Sequence, residues 1–125
     1  MAFFWTELNT PDAEQARRFY AATLGWTFRL VSDARYWLVL DGEDVIGGLY
    51  EMVGDEFADV PAHWFSYVEV EDVDASCELA EASGGSVLRR PVSIPEVGRI
   101  AILQDPTGSL IGCIKPARAR VGLAA

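Results

Sequence analysis

Apolar residues along the chain follow two spacings in turn, and the sequence runs through both twice. Trp5–Asn9 alternates apolar and polar positions, as a half-buried strand does. Ala13, Ala16, Tyr20 and Leu24 then recur at helical spacing, with Phe19 beside them. Thr10 is the candidate N-cap, Pro11 suits the first helical position and Asp12 suits the positive end of the dipole. Gly25 supplies the stop. Strand-like runs follow near Trp26–Val31, Tyr36–Leu40 and Val45–Tyr50. The second half predicts a strand over Trp64–Val70 and a cap at Asp72. Its helix carries Val73, Cys77 and Ala80 on one face and ends at Gly84-Gly85. Strands near Ser86–Arg89, Arg99–Leu103 and Leu110–Lys115 complete it.

The halves align residue by residue. At a constant spacing Leu8 meets Val68, Asp12 meets Asp72 and Gly25 meets Gly85. Further on, Val45-Ile46-Gly47-Gly48-Leu49 meets Leu110-Ile111-Gly112-Cys113-Ile114, which implies an insertion near Pro91–Pro95. Asp41-Gly42 reads as a hairpin turn, and Asp105-Pro106-Thr107-Gly108 as a type I turn. The predicted architecture is α+β, two tandem βαβββ modules of about 3–50 and 63–115. They form a single domain over 1–116, with mixed or antiparallel sheets enclosing a cleft. The tail Ala117–Ala125, with Arg118 and Arg120, is expected to fray.

Charge narrows the partners. Ten basic against nineteen acidic residues give −9, which disfavours nucleic acid and anionic membranes. No run approaches the ~20 apolar residues of a membrane span, and the N-terminus lacks a basic leader. Cys77 and Cys113 sit in apolar surroundings and read as buried thiols, so a cytoplasmic location is expected. One histidine, His63, rules out a multi-histidine site within the chain. No phosphate loop, nucleophile elbow, H-E-x-x-H or C-x-x-C occurs.

Three signatures in register with the repeat are Pro11-Asp12 with Arg18-Phe19-Tyr20 and Leu24-Gly25-Trp26, Val70–Ala75 with Gly84-Gly85, and Asp105-Pro106-Thr107-Gly108 before a last apolar strand. Through them the chain resembles the vicinal oxygen chelate superfamily of glyoxalases, extradiol dioxygenases and bleomycin-resistance proteins. The resemblance covers about residues 3–116 and implies metal ligands on the first and last strand of each half. Carried over, those positions are Trp5, Phe65, Gly47 and Gly112, none of which offers a metal a side-chain donor. No metal and no cofactor is therefore expected. A third possibility is a shifted ligand set drawn from Glu7, Glu69 and His63.

Two aromatics facing two glycines fit a slot for a flat apolar molecule; alternatively the aromatics fill the space, and the glycines mark bulges or close backbone approach. Alternation adds Glu7 and Asn9 beside Trp5, and His63, Tyr67 and Glu69 beside Phe65. Trp37 is a candidate lining residue whose facing the sequence leaves open. Arg99, after a Pro95–Gly98 segment read as a flap, is a candidate ligand partner or a surface ion pair. The leading expectation is a metal-free binding protein for an aromatic or apolar small molecule, of the sequestering or resistance type, pairing as a homodimer. The alternative is a metal-independent isomerase, lyase or cyclase. There Glu7 would be general base, its carboxyl raised by apolar surroundings, with Tyr67 or His63 assisting.

Overall fold

The structure is a computed structural model that describes residues 1–31 and 35–117. The elements are β1 (Phe3–Thr10), α1 (Ala13–Leu24), β2 (Thr27–Val31), β3 (Tyr36–Asp41), β4 (Asp44–Glu51), β5 (His63–Glu69), α2 (Val73–Ala82), β6 (Ser86–Ile94), β7 (Gly98–Gln104) and β8 (Leu110–Pro116). A 3-10 turn at Asp55–Phe57 joins the halves. The order is βαβββ twice, and the class is α+β. The tail beyond residue 117 lies outside the described residues. No helix among the described residues is long and apolar enough to cross a membrane.

Among the described residues two compact units form: Thr6–Trp64 is one, and Met1–Trp5 with residues 65–117 is the other. In the first, the strand order is β2-β3-β4-β1, with β1 parallel to β4 and the other pairs antiparallel. In the second it is β5-β8-β7-β6, with β5 parallel to β8. Each parallel pair brackets its helix, as a crossover connection requires.

The first helix starts later than expected. Asp12, not Thr10, is the N-cap: its side chain accepts from the Gln15 N–H at 3.0 Å, as Asp72 accepts from the Ala75 N–H at 3.0 Å in α2. Thr10 closes β1, and its hydroxyl accepts from the Asp12 N–H. A second anchor comes from β4, where Glu51 accepts from the Ala13 N–H at 3.0 Å and pairs with Arg35 at 2.9 Å. Gly25 ends α1 at φ 73, a left-handed position that suits glycine.

Each helix covers one sheet face. Leu8, Ala13, Val39 and Leu49 form the core under α1, joined by Tyr20, Trp26 and Trp37. Val70, Val73, Cys77, Ala101 and Cys113 form the core under α2. Burial pushes both thiols up, most directly through lost solvation, which keeps them protonated. The extra length of the second half appears as a nine-residue β6 running through Pro91, with two register shifts against β7. The expected flap at Pro95–Gly98 is instead a turn of that hairpin. Val97 donates to Ile94 and accepts from Ala117, both at 3.1 Å, and Ile94 and Val97 are buried.

Candidate functional site

Register decides which side chains share a face. In the Thr6–Trp64 unit, Glu7 pairs with Gly48 and Gly48 with Leu38; Asn9 pairs with Tyr50 and Tyr50 with Tyr36. These residues lie on the face away from α1. On it Glu7 is 1% exposed and accepts a hydrogen bond at 3.1 Å from Nδ2 of Asn9, which is also buried. Tyr36 is fully buried and leans diagonally along the sheet over Gly48. A methyl at Gly48 would meet its hydroxyl, Cζ and Cε1, all within 3.0 Å. Tyr50 continues the face and meets the Phe57 ring edge-on at 6.0 Å.

The other unit presents an apolar counterpart. Tyr67 pairs with Gly112, and Gly112 with Ile102. Phe65 meets Tyr67 edge-on at 5.1 Å, and both are buried. A side chain on Gly112 would enter the Tyr67 ring at Cγ, Cδ2 and Cε2. Space was expected opposite the aromatics at the glycines. Instead, the glycines seat tyrosine rings.

One expected placement needs correcting, and two that the sequence left open are decided. The partner of Glu7 across the strands is Gly48, as Gly112 is of Tyr67, so Gly48 and not Gly47 is the counterpart of Gly112. Gly47 pairs with Val39 on the α1 face, where a methyl would lie 2.5 Å from the Thr6 carbonyl oxygen. That is the close-backbone-approach alternative. Trp37 also faces α1: it pairs with Leu49, and the Arg17 guanidinium lies 4.7 Å from its ring centroid. Arg99 turns toward α2 and grips Asp74 through Nε at 2.8 Å and Nη2 at 2.9 Å. Hydrogen bonding to Arg99 holds the Asp74 carboxyl below its ordinary range and raises Arg99.

The remaining candidates fall as follows. Trp5 is buried, with its ring 6.3 Å from that of Phe4. His63, half-buried at the start of β5, donates through Nδ1 to the Pro61 carbonyl at 2.9 Å. Trp64 points away from Phe65 and donates to the Tyr20 hydroxyl at 3.2 Å. Tyr36 was missed by sequence reasoning, although its apolar run and the turn at Asp41-Gly42 placed it on a strand. Its facing depended on a bulge.

The fold and the glycine-paired first strands point to one class of protein. A model of the Glyoxalase/Bleomycin resistance protein/Dioxygenase superfamily matches residues 2–112, and the chain belongs to that superfamily. It is 37% identical over 116 residues to "Putative glyoxylase CFP32" of Mycobacterium tuberculosis, covering 90% of this chain and 43% of that protein. It is 29% identical to "Anthracycline biosynthesis protein DnrV" of Streptomyces peucetius, covering 84% and 43%. The chain therefore spans less than half the length of these relatives. Among solved structures, methylmalonyl-CoA epimerase from Mycobacterium tuberculosis shares the fold. The TM-score is 0.64 at 17% identity, over 99% of this chain and 92% of that one.

The family's metal finds no donors at the positions that the resemblance assigns to it. Trp5, Phe65, Gly47 and Gly112, and Gly48 where the register puts it in place of Gly47, bring indole, phenyl and hydrogen, where a transition metal needs imidazole, carboxylate or thiolate. Among the described residues, no three of the His, Cys, Asp and Glu side chains gather to hold an ion. These residues do not fit the metal.

Proposed function

We propose that the chain binds an aromatic or apolar small molecule on the face carrying Glu7, with the Glu7 carboxylate as polar anchor. The observation that carries this reading is the burial of Glu7 and Asn9, hydrogen-bonded to each other, on the sheet face away from α1. Burying a carboxylate costs several kcal/mol. A chain that keeps the costlier group gains something else from it. Trp5, two residues before Glu7 on the same strand and so on the same face, favours a ring-shaped molecule. The relative named for anthracycline biosynthesis is consistent with aromatic compounds as a class.

Titration calorimetry with 2-naphthol tests this reading, since its ring supplies the apolar body and its hydroxyl a donor for Glu7. Saturable binding of one molecule per chain is expected, weakened about tenfold or more in Glu7→Gln, because a charge-assisted hydrogen bond becomes a neutral one. Absence of saturable binding to the wild-type chain overturns the reading.

One observation favours a second reading, proton transfer with Glu7 as base. The carboxylate is oriented by Asn9, as a general base requires, and the Tyr36 phenol stands on the same face. Incubation of 2-acetonaphthone in D2O separates the two. Methyl deuteration accelerated by the wild-type chain but not by Glu7→Gln would replace capture with catalysis.

A further inference from the structure

We propose that Cys77 and Cys113 are a redox pair: a low-molecular-weight disulfide oxidises the two thiols to an intramolecular disulfide that ties α2 to β8. Both cysteines lie in the unit that does not carry Glu7, so the pair stands apart from the binding reading above.

The two thiols share one small core. α2 rests on its sheet through its buried residues Val73 and Cys77, and these cluster with Val70, Ala101 and Cys113. Cys113 pairs with Val68 on β5 and with Ala101 on β7, so it sits inside the sheet with a strand on either side. Ala101 is the smallest side chain of that cluster, and Cα atoms of α2 come within 8 Å of those of β8. A disulfide spans Cα atoms about 4.4–6.8 Å apart, a spacing open to buried residues of a helix packed this closely. Burial, and then a charge on Cys77, push the Cys113 thiol up, as two sulfurs in mutual reach would.

Access differs between the sulfurs. About one helical turn to either side of Cys77 stand Asp74 and Glu81, paired with Arg99 at 2.8 Å and Arg90 at 3.1 Å. Both pairs are exposed, so they open readily in water. Burial pushes the Cys77 thiol up, and the charges of Arg90 and Arg99 oppose it. Cys77 is therefore the entry thiol. Having given its proton to solvent, it attacks one sulfur of the incoming disulfide, forms a mixed disulfide and expels a thiolate. Cys113, deprotonated in turn, attacks the Cys77 sulfur and expels the second thiolate. Two electrons and two protons thus leave the pair, and the small disulfide departs as two thiols.

Reduced wild-type chain incubated natively with oxidised glutathione, then denatured, alkylated and weighed, tests the pair. The expected product is monomeric on a non-reducing gel, carries no alkylated thiol and is lighter than the reduced chain by about 2 Da, the two hydrogens removed. Its urea midpoint should rise, and reduction with dithiothreitol should reverse the rise. Cys113→Ser should stop at a mixed disulfide on Cys77, while Cys77→Ser stays unmodified under the same conditions. Two alkylated thiols, a wild-type product that stops at a mixed disulfide, or a bond between two chains overturns the proposal. An oxidised chain with an unchanged or lower urea midpoint also overturns it, because the bond would then join cysteines that the fold holds apart. A mixed disulfide in Cys77→Ser and none in Cys113→Ser overturns the order of attack. The wild-type readouts decide the pairing even if either substitution prevents folding.

Discussion

The faces carrying Glu7 and Tyr67 follow one backbone plan and carry opposite chemistry. In both units a first strand runs parallel to a last strand, and a glycine on the last strand sits directly opposite the position in question. In both, a tyrosine ring occupies the space above that glycine. The difference lies in where the ring originates. Tyr67 stands on the first strand itself and folds over its own partner. In the other unit the ring arrives from β3, two strands away from β1, which leaves the first-strand position available for a carboxylate. Pseudo-symmetry thus preserves the steric solution while one half is released for polar chemistry. A shared backbone alone is poor evidence that two related positions share a role.

The largest expected effect probes the shared part of this comparison. Gly112→Ala should destabilise the chain by about 3 kcal/mol in urea unfolding, since the added methyl enters the Tyr67 ring near its root. Gly48→Ala should cost about half as much, because it meets the far end of the Tyr36 side chain, which can swing aside. Equal costs would show that both rings are held alike. Combining Gly112→Ala with Tyr67→Leu should recover about 1 kcal/mol relative to additivity.

The difference between the faces is probed by affinity. Tyr67→Phe should leave 2-naphthol binding within about twofold of wild type, since its ring still fills the space over Gly112, whereas Glu7→Gln should weaken it about tenfold. Matching losses would overturn the assignment of the binding role to the Glu7 face alone. A smaller effect separates the helix anchors. Folding lowers the Asp74 carboxyl below its ordinary 3.8, through Arg99. The stability contributed by that pair is therefore fully present above 3.8 and is lost as pH falls through the lowered folded value. Urea midpoints of wild type and Asp74→Asn should differ at neutral pH, converge below that value, and draw together in high salt because the pair is exposed. The smallest expected effect is that of Trp64→Phe. Losing a partly exposed hydrogen bond to Tyr20 should cost about 0.5–1 kcal/mol.

Periodicity and turn chemistry made the repeat, both helices and every strand legible, with ends differing by a few residues. The α1 cap was misread at Thr10, although the alignment of Asp12 with Asp72 pointed to Asp12. A cap at Asp72 implied one at Asp12, and Thr10 was a local distraction. Facing was harder. The turn at Asp41–Asp44 sets one register for the β3–β4 hairpin, but a bulge between Val39 and Leu40 shifts it by one residue. One residue exchanges the two faces of a strand, so Gly47 and Gly48 trade places and Tyr36 stays hidden. Arg99 was ambiguous for another reason: its partner Asp74 lies 25 residues away, on a helix whose position over β7 no local pattern specifies.

The glycine seats also constrain how this chain can change. A carboxylate at position 112 would have to displace an aromatic ring already there, and one at position 48 would have to evict the Tyr36 phenol. Acquiring a coordinating side chain at either place therefore requires the tyrosine to shrink first, leaving an intermediate with a cavity, or a simultaneous pair of substitutions. Single steps in either order pass through a less stable protein. For lineages carrying these tyrosines, the route to a metal-binding version at these two positions is guarded by packing, quite apart from whether such an activity would be advantageous.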